Sequence, residues 1–386
     1  MRMQWPKWAL AYLFLADGTG FGLWAAHVPV FKQNLHLSNG ALSRVLLSLV
    51  GGAIVTMPVT GHLIASFNSR TVVRMAALCY VATLAFLAQA HSFEGLVLFA
   101  GLYGGAKGAF DVSVNAQAVA VEHHYGRSST SLFQGCWSVG GLMGAAVTSL
   151  LLKHGMTLRF NLSAGAIILA ATVLAALPVL IVEPRKEHEA KARLVLPDRA
   201  LLRLALIAFF GLFAEGAIGD WAAVYLRSNM GASLSLAAAG YATYAIAMAS
   251  ARFLGEWLTR RFEDRIILIG SGLLVALGFG CTLLSPSLAA AVVGLALTGM
   301  GVANIFPVIV TLAGRNQKMG TGPAISALST IGYFGFLAGP PLIGWLAVAI
   351  GLQGALGMIV LAGGIVAAGP VILSMKKEGV EVQVGG

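Results

Sequence analysis

The sequence predicts an all-α polytopic membrane protein, with twelve transmembrane helices in two pseudo-symmetric six-helix bundles. Three observations carry this reading. Apolar residues make up 58% of the 386 residues and charged residues only 10%, against roughly 25% charged in soluble domains. Apolar runs long enough to cross a bilayer recur along the chain. The chain also repeats itself at half its length. Asp17 and Trp24 return as Glu215 and Trp221; Gly101, Gly108 and Asp111 return as Gly294, Gly301 and Asn304 at an offset of 193; Ser131, Gly140 and Gly144 return as Ser326, Gly335 and Gly339 at an offset of 195. Half-chain repeats in a polytopic membrane protein are the signature of secondary transporters.

The predicted spans follow in order. The first, Trp8–Phe31, carries Asp17. It is too long for a secretory signal and lacks a small-residue cleavage site. Gly40–Ser66, Thr71–His91 and Gly95–Val121 come next, the last holding Lys107 and Asp111. Ser131–Lys153 and Phe160–Val182 complete the first bundle, residues 1–182. The one compositional break, Glu183–Arg199, is dense in charge and reads as a linker. The second bundle, residues 200–375, contains Ala200–Arg227, Ser235–Thr259, Arg265–Ser285, Leu288–Ala313, Pro323–Ala349 and Gln353–Met375, and residues 376–386 form a polar tail. These runs are continuous rather than alternating. They read as helices that satisfy their own backbone groups, not as barrel strands.

Lys and Arg set the expected orientation. Arg70, Arg74, Arg127, Arg185, Lys186, Arg199, Arg260, Arg261, Arg315, Lys376 and others fall in loops on one side, and only Lys32, Arg44, Lys153, Arg159 and Arg227 on the other. By the positive-inside rule both termini and the linker face the cytoplasm, placing the chain in the inner (plasma) membrane. The charges sit singly at helix ends, not in a basic stripe, so no nucleic-acid partner is expected. Cys79, Cys136 and Cys281 lie inside spans without metal-ligand spacing, and no metal or cofactor is expected. Gly105-Ala106-Lys107-Gly108 lacks the Lys-Ser/Thr of a phosphate loop and lies in an apolar span. With no nucleophile–base set either, the chain is not expected to be an enzyme.

The layout resembles the major facilitator superfamily over the whole chain. After the second span, Gly61, Leu63 and Arg70 match that family's loop signature, with Ala65 at its aspartate and Asn68 at its glycine; Gly255 and Arg260 match in the second half, with Thr259 at the acid position. Glu256 and Arg252, four residues apart, offer a substitute pair there. Gly108, Asp111 and Asn115, then Gln134, Ser138 and Gly140, with Pro29, Phe31 and Gln33, are similar to the fucose-permease-like branch. That resemblance implies a transporter working by alternating access, with protons and a small solute, plausibly a sugar, as partners, and import as the direction.

Charges inside a membrane are costly and mark functional candidates. Lys107, Asp111 and Asn115 are spaced by four and share a helix face. Either Lys107 and Asp111 neutralise one another, or the face lines a cavity and Asp111 carries a proton; burial and a neighbouring cation act on a carboxyl in opposite senses. Asp17 and Glu215 are the repeated acids, read as further proton-coupling candidates or as groups bonded to a neighbouring helix. Trp24, Trp221 and Tyr225 are candidate solute-binding aromatics, packing being the alternative. Asn115, Gln134, Trp137, Asp220 and Asn304 complete the candidate solute contacts. His27, near the outer end of the first span, reads as a solvated interfacial group, a pH-sensitive gate group being the alternative. Gly140 and Gly144, with Gly335 and Gly339, form small-xxx-small pairs for close helix packing, and Pro340 and Pro341 should bend the eleventh span. Taken together, the expected molecule is a monomeric, proton-coupled secondary transporter of a small polar solute. An exporter of drugs or sugar metabolites on the same fold is the alternative, and a non-transporting receptor a third reading.

Overall fold

The computed structural model describes residues 5–37, 39–126, 129–181, 197–232, 234–315 and 320–372. The expected linker and tail lie almost wholly outside these residues. Six helices form the first half: α1 Trp5–Asn34, α2 Asn39–Phe67, α3 Ser69–Leu87, α4 Phe93–Tyr125, α5 Thr130–Lys153 and α6 Leu158–Ala176. The second half contains α7 Arg199–Ser228, α8 Leu234–Arg261, α9 Asp264–Leu284, α10 Leu288–Val302, α11 Ile305–Gly314 and α12 Thr321–Ile372. By length and composition nine stretches among the described residues can cross a membrane, α10 and α11 counting together as one. The charge-bearing α4 and α8 are long enough as well, and α12 folds back on itself, so twelve crossings are accommodated.

Two details differ from the sequence reading. The tenth span is split at Ala303–Asn304 into α10 and α11. The boundary between the last two spans is a single residue, Gly351, whose φ of 75° and ψ of 161° suit a residue without Cβ. Pro340 and Pro341 leave α12 helical, so the chain reverses at Gly351 and not at the prolines.

Close backbone approach builds each half. A Cβ on Gly140 would stand 2.1 Å from the Leu15 carbonyl oxygen, and one on Gly144 2.2 Å from that of Thr19, so α5 lies directly on α1. The repeat recurs in space: a Cβ on Gly335 would stand 2.2 Å from the Phe209 oxygen, placing α12 on α7 in the same way. Without these glycines the helices would have to separate, losing dispersion contacts along both pairs. One buried apolar cluster is drawn from residues 10–180. A second spans residues 201–366 and takes in Met57, Ile64, Val112, Ala116 and Val119 from the first half.

The halves meet on the side where α1 begins, called here the N-terminal side. The contact has the symmetry of the repeat. Gly61 of α2 faces Ser326 of α12, and Gly255 of α8 faces Ser131 of α5. The signature glycines of one half thus make room for the repeated serines of the other. The Ser326 hydroxyl donates to the Met57 carbonyl at 2.7 Å. Lys7 of α1 meets Glu256 of α8 at 3.5 Å. Buried Glu122, at the end of α4, accepts from the Ser129 and Thr130 amides at 2.6 and 2.8 Å and from Thr311 of α11 at 3.1 Å. Asn68 stands at φ 79°, backbone that favours glycine, and its side chain repays the strain by capping α3 through the Thr71 amide at 3.0 Å.

Candidate functional site

At mid-depth the two halves bring four charges around one cavity, Lys107, Asp111, Glu215 and Arg252, with Asp17 behind Lys107. Asp17, Asp111, Glu215 and Tyr333 lie 12 to 16 residues from the N-terminal-side ends of their helices, roughly 18–24 Å along the axis. Asp17 is 0% exposed, Lys107 7% and Asp111 4%. Lys107 Nζ sits between the two carboxylates, 3.0 Å from Asp17 and 3.7 Å from Asp111. The expected Lys107–Asp111 pair is therefore the longer of two. The i,i+4 spacing puts both groups on one face, but α1 delivers Asp17 closer.

In the second half, Arg252 does not pair with Glu256, as its spacing had implied. Its guanidinium turns inward to Glu215 at 3.2 Å, while Glu256 faces Arg260 and Lys7. The helix break explains the turn. Where α10 ends, the Ala303 carbonyl is free of a helical partner, and Arg252 Nε donates to it at 3.3 Å. Asn304 holds the break against α8, donating to the Ala251 carbonyl at 3.0 Å. Each half thus carries its repeated acid on its own cation, Asp17 on Lys107 and Glu215 on Arg252.

Trp137 of α5 lies between the two cations, with Lys107 Nζ 5.7 Å and Arg252 Cζ 5.9 Å from its ring centroid. Both are within cation–π range. Two further bonds cross between the halves here. The Tyr333 hydroxyl of α12 donates to Asp111, and Arg252 Nη1 donates to the Ser138 hydroxyl of α5 at 2.5 Å. Asn115 donates to the Asp111 backbone carbonyl at 2.8 Å and more weakly to its carboxylate at 3.4 Å, and Gln134 donates to Asn115 at 3.3 Å.

The cavity has a volume of about 100 Å³, smaller than the roughly 300–1,000 Å³ of ordinary ligand pockets. Its polar wall is Lys107, Asp111, Gln134, Glu215, Arg252 and Tyr333, and its apolar walls include Phe21, Trp137, Phe306 and Phe336.

Several expected contacts lie elsewhere. Trp24 is packed in the first half's core against Phe31 and Tyr103, at 5.8 and 6.1 Å between ring centroids. Trp221 is half-buried within the second half and donates to the Pro340 carbonyl at 3.0 Å. Tyr225 is buried and donates to the Leu283 carbonyl at 3.1 Å. Their helical faces point into their own bundle, which spacing along one helix cannot reveal. Asp220 is exposed, and Asn304 serves the helix break. His27 is buried, its Nδ1 2.7 Å from the Leu23 carbonyl oxygen, not a solvated interfacial group. Tyr333, Ser138 and Phe306 were not singled out by their chemistry. A signal for two of them was present: Ser138 and Tyr333 stand at the same offset of 195 as the repeated serines and glycines around them, but as unlike residues they are not a visible repeat.

Comparison with known proteins fits this geometry. The Major Facilitator Superfamily model matches residues 9–316 and matches again over 204–383. The chain belongs to the Major Facilitator Superfamily. The second match begins within α7. An uncharacterised MFS-type transporter of Yersinia pestis is 33% identical over 348 residues, covering 90% of each chain. Among solved structures, the E. coli fucose:proton symporter FucP superposes with a TM-score of 0.79 at 16% identity, covering 95% of this chain and 98% of that one. The proton:xylose symporter XylE superposes with a TM-score of 0.76 at 14% identity, covering 95% of each. At such identities the superpositions speak for the superfamily fold. The protein is thus a multi-pass membrane transporter and not an enzyme.

Proposed function

We propose that this superfamily member is a proton-coupled transporter of a small polar solute with an apolar ring face, a sugar being the best fit. One observation carries the coupling. Buried Asp17 and Asp111, with Glu215, face buried Lys107 and Arg252 beside a small cavity, so three acids meet two cations. An uncompensated charge in so low a dielectric is strongly disfavoured, and one proton removes it. Asp111 is the acid that carries this proton. Its cation is the more distant one, and unlike Asp17 it lines the cavity. For the solute, Phe21, Trp137, Phe306 and Phe336 offer flat apolar faces beside hydrogen-bonding groups, the combination that suits a sugar ring. Fucose and xylose are named for the two symporters of the same fold, which supports the same class here. We further propose that the halves rock about the cavity, that both termini face the cytoplasm, that transport is inward and that the monomer is the working unit.

The test has two steps. A panel of neutral sugars is screened for thermal stabilisation of the purified protein, since a ligand at a hundredfold its Kd stabilises by about 2.7 kcal/mol. In proteoliposomes, Asp111→Asn should then abolish proton-driven accumulation of the sugar found and retain counterflow, which needs no net protonation. Intact proton-driven accumulation in Asp111→Asn would remove Asp111 from the mechanism.

A further inference from the structure

The two bonds that cross the site are arranged reciprocally. Tyr333, of the second half, donates to the acid of the first. Ser138, of the first half, accepts from the cation of the second at 2.5 Å. The two hydroxyls occupy equivalent positions of the repeat, 195 residues apart, on α5 and α12, the helices that pack on α1 and α7 through Gly140 and Gly335. Each half therefore reaches into the other's charge site from the same place. Both bonds exist only while the halves are together on the N-terminal side.

The two bonds differ in how they respond to a proton. Arg252 stays charged, so the Ser138 bond depends on position alone. Asp111 can be neutralised, and a hydrogen bond to a carboxylate is roughly twice as strong as one to a neutral group. We propose that Tyr333 is the residue that ties protonation of Asp111 to the closure of the N-terminal side. This rests on the proton-coupled reading above. With Asp111 ionised, the Tyr333 hydroxyl holds the halves together there. When Asp111 takes a proton from water, Tyr333 keeps its own proton, the bond weakens, and the N-terminal side is released. Linkage makes the effect reciprocal: parting the halves removes a donor from the carboxylate.

The other groups facing Asp111 leave this role to Tyr333. On α4 the facing group is Lys107, and α1 contributes Asp17 on the same cation; behind them Tyr80 of α3 bonds the Asp17 carbonyl and the Tyr103 hydroxyl of α4. All of these belong to the first half and move with Asp111. From the second half, Glu215 and Arg252 line the same cavity but are bonded to each other and to Ser138. Tyr333 is the second-half residue whose donor is placed on the Asp111 carboxylate.

The experiment reads conformation, with the proton as the probe, so no solute is needed. Spin labels are placed on cysteines at His154 and Asn229, exposed at the far-side ends of α5 and α7, in full-length protein with Cys79, Cys136 and Cys281 replaced. Double electron–electron resonance then measures their separation against pH. In the parent protein, the population closed on the N-terminal side and open on the far side should grow as pH rises. Asp111→Asn should flatten this response. Tyr333→Phe keeps the ring on Phe306, whose centroid is 6.2 Å away, and should lose most of the response, shifting the population ratio roughly tenfold towards the state open on the N-terminal side, as expected for losing a bond to a charged group. The double variant should match Asp111→Asn alone. Ser138→Ala should shift the ratio while keeping the pH response. If Tyr333→Phe misfolds, Tyr333→Leu provides the same readout. A full pH response in Tyr333→Phe beside a flat Asp111→Asn would overturn the role of Tyr333 and leave the proton reading standing. A full response in Asp111→Asn would overturn both. Loss of the response in Ser138→Ala would assign it to the interface as a whole, and also overturn the proposal.

Discussion

Lys107→Met tests whether the buried triad is held together by its cation. Lys107 Nζ lies 3.0 Å from Asp17 and 3.7 Å from Asp111, with the lysine side chain 9% exposed. At an effective dielectric near 20, these separations correspond to gross attractions of about 5.5 and about 4.5 kcal/mol. Desolvation of all three groups offsets much of that. The relevant net figure is the loss when one partner of a buried pair is removed, about 3–5 kcal/mol. Methionine keeps most of the lysine's volume, so little of the loss arises from a cavity. Asp17→Asn combined with Lys107→Met leaves only Asp111 of the triad, which can take a proton as proposed above, and should restore most of the stability at a pH where Asp111 is neutral. The assay is thermal unfolding of the purified proteins in one detergent and at one pH, ranking parent, both single variants and the double variant. A Lys107→Met protein as stable as the parent would refute the reasoning. So would a double variant no more stable than Lys107→Met, since the loss would then come from packing and not charge.

Three further outcomes follow. Gly140→Val should destabilise by at least about 1–3 kcal/mol, because its Cβ would stand 2.1 Å from the Leu15 carbonyl oxygen; yield and thermal unfolding measure it. Trp221→Phe should lose the bond to Pro340, about 1 kcal/mol of stability, and leave solute affinity unchanged; a lowered affinity at unchanged stability would return Trp221 to the binding site. A single cysteine at Glu187 should resist an impermeant reagent added outside intact cells, as the Lys/Arg bias requires; efficient labelling would reverse the topology.

The superfamily fold was legible because its determinants are local or repeated. Apolar runs record the bilayer's thickness, and Gly140, Gly144, Gly335 and Gly339 record close helix approach without reference to any partner. The charges around the cavity were legible as a set, because each is costly in a membrane. Their pairing was not. The i,i+4 spacings of Lys107 with Asp111 and of Arg252 with Glu256 describe one helix face. The shorter contact for Lys107 comes from Asp17 of α1, and the partner of Arg252 is Glu215 of α7.

What the sequence by itself determined is therefore the kind of element and the apolar stretches that form it, the internal repeat and the cast of buried charges. These follow from hydropathy and from the free energy of placing a charge in lipid. Tertiary structure alone decided which way each side chain faces and what it meets. It turned Trp24 and Trp221 into their own bundles, used the break at Ala303–Asn304 to aim Arg252 inward, and set Tyr333 on Asp111 across the divide. Rotation of a helix about its axis and the pairing of helices from different halves depend on contacts tens to hundreds of residues apart in the chain, and no spacing within one helix encodes them.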